Sequence, residues 1–158
     1  MLVHAGICDS GMWDAQWGAL ADGRRLIRFD MRGFGRSPVP SAAYSHARDL
    51  IAVMDAAGIS EAAIVGASMG GRVALEAALA APARVSALVL VGSGLPGHEW
   101  SAPVREYWEA EEAAIERGDL AAAPGARAAT IPDAAHLPSM ERPELFDRLV
   151  TGFLSRPA

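Results

Sequence analysis

The sequence has little of what several classes of protein depend on. Its one cysteine, Cys8, leaves no partner for an internal disulfide and no cluster for a metal site, which favours a reducing, cytoplasmic location. Fourteen basic residues stand against nineteen acidic ones without any lysine- or arginine-rich block, so the charge pattern of a nucleic-acid-binding protein is missing. No apolar run approaches the ~18 residues of a membrane span, and no signal-peptide pattern opens the sequence. We therefore expect no nucleic-acid partner, no membrane partner and no bound metal.

The composition favours an ordinary globular domain. Of the 158 residues, 51% are hydrophobic and 21% are charged, which excludes a disordered chain and is enough for a buried core. The sequence shows neither an internal repeat nor a linker, so we predict one domain over residues 1–158.

Short apolar runs alternate with helical patterns along the chain. Alternation of this kind predicts an α/β fold with a doubly wound, mainly parallel sheet of about five strands flanked by helices. The predicted strands are Met1–His4, Arg25–Phe29, Ala62–Val65, Val85–Val91 and, more weakly, Ala126–Ile131. The predicted helices are Met12–Leu20, Ser45–Ala57, one after Ser68, Ala102–Arg117 and a last one from Pro143.

The most informative stretch joins the third predicted strand to a helix of small residues. It reads Gly66-Ala67-Ser68-Met69-Gly70, a GxSxG pattern. A strand-to-helix reversal within so few residues crowds the backbone, and glycine on either side of the serine relieves the crowding. Ser68 is thereby predicted at the carboxyl end of the sheet, with the N–H of Met69 at a helix N-terminus where an oxyanion is stabilised. A plain Gly-Ser turn is the alternative interpretation.

A serine hydroxyl is a weak nucleophile near neutral pH and needs an adjacent base. Imidazole, with an unperturbed pKa of ~6.5, suits that role. Of the four histidines, His136 is the strongest candidate because it follows a predicted strand, whereas His4, His46 and His98 are weaker.

Four segments together resemble the α/β-hydrolase fold family, in particular its small bacterial ester, lactone and carbon–carbon bond hydrolases. Val3-His4-Ala5-Gly6 is similar to the family's HG-type loop, and Asp30-Met31-Arg32-Gly33-Phe34-Gly35-Arg36-Ser37 to its post-strand turn. Gly66 to Gly71 is similar to the nucleophile elbow, and Asp133 to Pro138 to the histidine loop. The resemblance covers nearly all of the chain.

The resemblance implies a role for each matching residue. Ser68 would be the catalytic nucleophile, and His136 the general base and then acid. The oxyanion hole would combine the N–H of Met69 with that of Gly6, or alternatively of Ile7. Asp30 precedes the serine in a motif that is structural in the family, and we expect it to be structural here.

The sequence departs from the family pattern in three places. The first strands, most of the helical cap and the strand that carries the triad acid have no counterpart, so we expect a truncated α/β-hydrolase-like sheet with residues 102–121 as a remnant of a cap helix. Glu99 and Asp119 are weak candidates for the acid, and Asp133 is a third.

These observations predict a serine hydrolase that cleaves small carboxylic esters or lactones through an acyl-enzyme, without metal or organic cofactor. The alternative is a weak or inactive remnant of the fold that serves as a binding module, because no acid is secure. A shortened sheet exposes strand edges, so a homodimer through those edges is a further expectation.

Overall fold

The computed structural model describes residues 1–93, 129, 131–134 and 136–155. The chain divides into two compact units, one of residues 1–94 with 131–158 and the other of residues 95–130. All helices and strands with described bounds lie in the first unit.

Three parallel strands form the described sheet, in the order β1 (Leu2–Val3), β2 (Ala62–Ala67), β3 (Val85–Val91). Val3 pairs with Gly66 across one interface and Val65 with Val89 across the other. Their sequences are almost wholly apolar because helices cover both faces of a parallel sheet. The predicted α/β class is confirmed.

The sheet is smaller than the predicted five strands. The segment Arg25–Phe29 runs beside β1 but contributes only one parallel bridge, between Arg28 and Leu2, and one hydrogen bond of 2.8 Å from Leu2 N–H to Ile27 C=O. A strand pairs only along the length that its neighbour offers, and β1 has two residues. Most of Ala126–Ile131 lies outside the described residues, as do the predicted helix Ala102–Arg117, the cap remnant at 102–121 and His98.

Helices pack on both faces of the sheet. Neighbouring strand residues alternate between two cores: Ile64 packs with helices α2 (His46–Ala56) and α3 (Met69–Ala80), whereas Val65 packs with α1 (Asp14–Ala21) and α5 (Pro143–Leu154). The sheet is therefore doubly wound, as predicted. The helices of the described part are α1 (Asp14–Ala21), α2 (His46–Ala56), α3 (Met69–Ala80), α4 (Pro138–Glu141) and α5 (Pro143–Leu154), with 3₁₀ turns at Ser10–Trp13 and Pro82–Arg84.

The ends of these helices follow local chemistry. Ser45 caps α2 through its hydroxyl, which accepts the Arg48 N–H, and Gly58 follows its end with a φ of +66°. Asp9 caps the first 3₁₀ turn by accepting the Gly11 N–H at 2.7 Å. Within the described ranges, every helix is too short or too polar to cross a bilayer.

The winding of the sheet reverses beside β1. From β1 the chain crosses to the Arg28 segment on one side and then returns past β1 to form β2 on the other. Ligands of doubly wound sheets bind where the winding reverses, outside the carboxyl ends of the strands. Here that place lies between the residues after Val3 and those after Ala67.

Candidate active site

Ser68 stands at the tip of a strained turn between β2 and α3. Its φ of +51° and ψ of −116° are rare for a residue with a side chain. Its N–H donates to Val91 C=O at 2.8 Å, and its own C=O accepts the N–H groups of Gly71 and Arg72. These bonds tie the strained residue to β3 on one side and to the first turn of α3 on the other.

Glycines on both sides of Ser68 allow the close approach that this turn requires. A Cβ on Gly66 would overlap the backbone of Gly70 and Gly71, and a Cβ on Gly70 would overlap the carbonyls of Val3 and His4. The overlapping atoms are backbone, which cannot move aside as a flexible side chain can. The GxSxG spacing therefore has the steric origin that the sequence suggested.

His136 lies against Ser68. The distance from its Nε2 to Ser68 Oγ is 2.8 Å, although the two residues are 68 positions apart. Gly92, just after β3, has a φ of +52°, and a Cβ there would stand 2.8 Å from the His136 carbonyl oxygen and 3.4 Å from its Nδ1. The absence of a side chain at Gly92 lets the histidine loop settle on the end of the sheet.

Two carboxylates brace the histidine loop from within. Asp133, with a φ of +55°, pairs with Arg142 at 2.8 Å, and the Glu141 carboxylate accepts the Leu137 N–H at 2.9 Å. The second bond fixes the residue directly after His136. Each interaction joins residues that are close in the sequence. The first ties the loop to the start of α5, and the second closes the single turn of α4.

The loop after β1 brings Gly6 to the same place. A Cβ on Gly6 would lie 3.3 Å from the Met69 Cβ, so the two residues adjoin. Ala5 N–H donates to Met12 Sδ at 3.2 Å and Cys8 N–H to Ala5 C=O at 3.1 Å. Among described residues, the N–H groups of Gly6, Ile7 and Met69 have no such partner. The two residues predicted to supply the oxyanion hole thus lie next to each other, and Met69 directly follows Ser68.

A partner for the other ring nitrogen of His136 is not found among the described carboxylates. Asp133 is engaged by Arg142, and Glu141 accepts from the Leu137 backbone. The remaining candidates, Glu99 and Asp119, lie outside the described residues.

Asp30 has its own set of partners. Its carboxylate accepts the N–H of Ser10 at 2.8 Å and of Arg36 at 3.0 Å, and its carbonyl accepts the Ser37 hydroxyl at 2.6 Å. Hydrogen bonds from Ser10, and then from the Arg36 amide, hold the pKa of this carboxyl well below its usual range. Gly35, with a φ of +52°, passes so close that a Cβ would stand 2.5 Å from the Asp30 carboxylate. Asp30 therefore organises the turn rather than contacting His136.

His4 is fully buried and links two loops. Its Nδ1 lies 2.8 Å from Ala5 C=O, and its Nε2 accepts the Met31 N–H at 2.9 Å, which assigns the ring proton to Nδ1. His46 begins α2 and contacts the rings of Tyr44 and Phe34, and burial lowers the pKa of its imidazole. Both histidines pack within the fold, away from Ser68 Oγ.

A cavity of about 330 Å³ lies elsewhere, at the amino end of the sheet. Its lining includes Met1, Ala62 and Ser86, which start or precede the strands, so it faces away from Ser68. In the described part of the chain no group of three or more His, Cys, Asp or Glu side chains is placed to hold a metal. The candidate site is therefore defined by the elbow and the histidine loop, and not by the size of a pocket.

Comparison with known proteins decides the family. The sequence model of the alpha/beta hydrolase fold matches residues 1–117. The chain belongs to the α/β-hydrolase fold family. Like members of that family, it has a GxSxG elbow at the end of a central parallel strand.

Two curated hydrolases of this family are similar in sequence. A protein named "Putative carbamate hydrolase RutD" from Variovorax paradoxus is 40% identical over 109 residues, which are 65% of this chain and 39% of the relative. A 2-hydroxymuconate semialdehyde hydrolase from Pseudomonas is 40% identical over 101 residues, 59% of this chain and 35% of the relative. The chain thus spans about two fifths of the length of these relatives.

A solved structure agrees on the fold. Carboxylesterase CesB from Bacillus subtilis superposes with a TM-score of 0.80 over 99% of this chain and 83% of its own, at 19% identity. At that identity the likeness concerns the fold alone.

Sequence reasoning missed several residues that shape the site. Gly92 directly follows a predicted strand, and no motif in the sequence marks it as part of a site. Met12 looked like an ordinary member of an apolar helix face, yet its sulfur accepts a hydrogen bond from the loop after β1. Glu141 carried a usable signal, because a glutamate four residues after Leu137 can reach back to that N–H.

Proposed function

We propose that the chain is a serine hydrolase that cleaves small carboxylic esters or lactones through an acyl-enzyme. The observation that supports this most is the distance of 2.8 Å between His136 Nε2 and Ser68 Oγ, in a turn whose φ of +51° presents the serine at the carboxyl end of the sheet. A nucleophile paired with a base, beside two backbone N–H groups that have no partner among the described residues, is the arrangement that acyl transfer needs.

Each step of the proposed reaction uses one of these groups. The Ser68 hydroxyl attacks the substrate carbonyl as its proton passes to His136 Nε2. The N–H groups of Gly6 and Met69 stabilise the oxyanion that forms. His136 then returns the proton to the leaving oxygen, and a water activated by the same imidazole hydrolyses the acyl-serine.

The substrate class is supported by chemistry and by the curated relatives. The RutD relative is named for carbamates, which share with esters and lactones a carbonyl that bears a heteroatom leaving group. Ser68 occupies the elbow, and a serine attack gives an acyl intermediate. We propose small substrates because the described residues of the site lie in the open at the carboxyl end of the sheet, where His136 is exposed.

A catalytically weak or inactive remnant that acts as a binding module is the second candidate. It is favoured by one observation: no described carboxylate bonds His136 Nδ1. In a serine protease, loss of the triad acid lowers turnover by about 10⁴-fold and leaves residual activity, so a missing acid predicts a slow enzyme before it predicts an inert one.

Turnover of p-nitrophenyl acetate separates the two candidates. A short ester needs little pocket beyond the nucleophile, so the parent chain should hydrolyse it above background. Replacing His136 by Ala removes the general base and should lower kcat at least about a hundredfold. The same rate in the parent, in His136→Ala and in Ser68→Ala would favour the remnant.

A further inference from the structure

A buried polar contact ties helix α1 to the histidine loop. Gln16 has no solvent exposure, and its amide Nε2 donates to the Ser139 carbonyl at 2.6 Å across 123 positions of sequence. Ser139 lies in α4, three residues after His136. On the basis of the proposed function, we propose that Gln16 is a positioning residue that holds the His136 loop in its working place against α1.

Packing alone does not explain a glutamine at this position. Gln16 lies one turn from Trp13 and Leu20 on the buried side of α1, in the core that also contains Phe146 and Val150. A polar side chain there costs free energy unless it is hydrogen-bonded, whereas an apolar one would pack without that cost. The hydrogen bond of 2.6 Å from its amide nitrogen is directed at the backbone of the histidine loop.

Helix α4 needs such a tie because it has only one turn. Its own bonds use the carbonyls of Leu137 and Pro138, which accept the N–H groups of Met140, Glu141 and Arg142. The next carbonyl, that of Ser139, is the one that Gln16 satisfies. A segment this short has little internal stability, so a hydrogen bond from α1, which is twice as long, fixes its position.

The same helix is joined to the opposite side of the site. The 3₁₀ turn before α1 contains Met12, whose sulfur accepts the Ala5 N–H, and Ser10, whose N–H binds Asp30. Gln16 follows Met12 by four residues. The stretch from Ser10 to Gln16 therefore makes hydrogen bonds both to the loop after β1 and to the histidine loop.

Other polar atoms surround this contact. Gln16 Oε1, Ser139 Oγ, Asp147 Oδ1 and Trp13 Nε1 are buried and have no hydrogen-bond partner among the described residues. Burial raises the pKa of the Asp147 carboxyl, and the neighbouring Gln16 side chain offsets part of that rise. An additional carboxylate at position 16 would face both Asp147 and the Ser139 carbonyl.

Two substitutions test the tie. Gln16→Met keeps the length of the side chain and removes the donor, and Gln16→Glu keeps the shape and replaces the donor with a charge. Leu20→Met is the matched control, because Leu20 lies one turn further along the same buried face and makes no bond to the loop. All three are compared with the parent well below their melting temperatures.

The first readout is amide hydrogen exchange of residues 137–142. Both Gln16 variants should exchange faster there than the parent, by about tenfold or more, while Leu20→Met should match the parent within about twofold. Unchanged exchange in folded Gln16→Met would overturn the inference, whatever the activity. If Gln16→Glu fails to fold, Gln16→Met still decides.

The second readout is the hydrolysis of p-nitrophenyl acetate. A loosened imidazole should lower kcat by about tenfold with KM within about twofold of the parent, since the binding surface is untouched. Faster exchange with an unchanged kcat would overturn the positioning role. A parent without Ser68-dependent turnover would instead defeat the proposed function, while the exchange result would still show whether Gln16 holds the loop.

Discussion

At the scale of single residues, the candidate site depends on glycines that have no side chain to offer. Gly66, Gly70 and Gly92 each stand where a Cβ would overlap backbone or the histidine loop. Ser68 itself occupies a conformation that costs of order 1–3 kcal/mol and persists only when its surroundings impose it. The backbone hydrogen bonds that tie Ser68 to β3 and to the first turn of α3 impose it here, and the glycines allow that close packing.

Gly92→Ala tests this dependence directly. An alanine at this position must adopt a φ of +52°, and its Cβ would stand 2.8 Å from the His136 carbonyl oxygen. We expect a loss of about 1–2 kcal/mol in the free energy of unfolding from the backbone alone, with a fall in esterase activity as His136 moves. Chemical denaturation and kinetics with p-nitrophenyl acetate measure the two effects.

Gly18→Ala is the matched control for that experiment. Gly18 lies in α1 with nothing within 4 Å of an added Cβ, so alanine should stabilise the helix by about 0.5–1 kcal/mol and leave activity unchanged. Equal effects of the two substitutions would show that Gly92 has no special place beside the histidine.

At the scale of elements, the histidine loop is the part of the candidate site whose contacts the sequence predicts least well. Asp133 is close to His136 in sequence and looked like a possible triad acid, but it pairs with Arg142 at 2.8 Å. Asp133→Asn keeps the preference for positive φ and removes the charge. Because the ion pair is exposed, we expect kcat within about twofold of the parent and stability within about 0.5 kcal/mol. A fall in kcat of a hundredfold or more would make Asp133 the missing acid.

Local chemistry explains which elements could be predicted from sequence. The strands Ala62–Ala67 and Val85–Val91 and the helix after Ser45 were predictable because apolar runs, a serine cap and glycine stops act over a few residues. The predicted Arg25–Phe29 strand was wrong in extent because its pairing is limited by β1, which is distant in the chain: the one bridge joins Arg28 to Leu2. Gln16 was missed for the same reason, since its partner is 123 positions distant.

At the scale of the whole molecule, the described sheet has few strands. Among the described strands, β3 has a neighbour on one side only, β2. The unpaired backbone N–H and C=O groups of such an edge strand are a template for pairing with another chain. We therefore propose that two copies associate through this edge. Size-exclusion chromatography with light scattering should show a dimer at high concentration, and a monomeric profile there would contradict it.

The central claim is that folding delivers the Ser68 hydroxyl to the His136 imidazole as a working nucleophile and base. Reaction with a fluorophosphonate probe, located by mass spectrometry of the intact folded chain, tests it most directly. The account predicts an adduct on Ser68 in the parent, none in Ser68→Ala, and slower labelling in His136→Ala. A parent chain that stays unlabelled under native conditions, like Ser68→Ala, would contradict it.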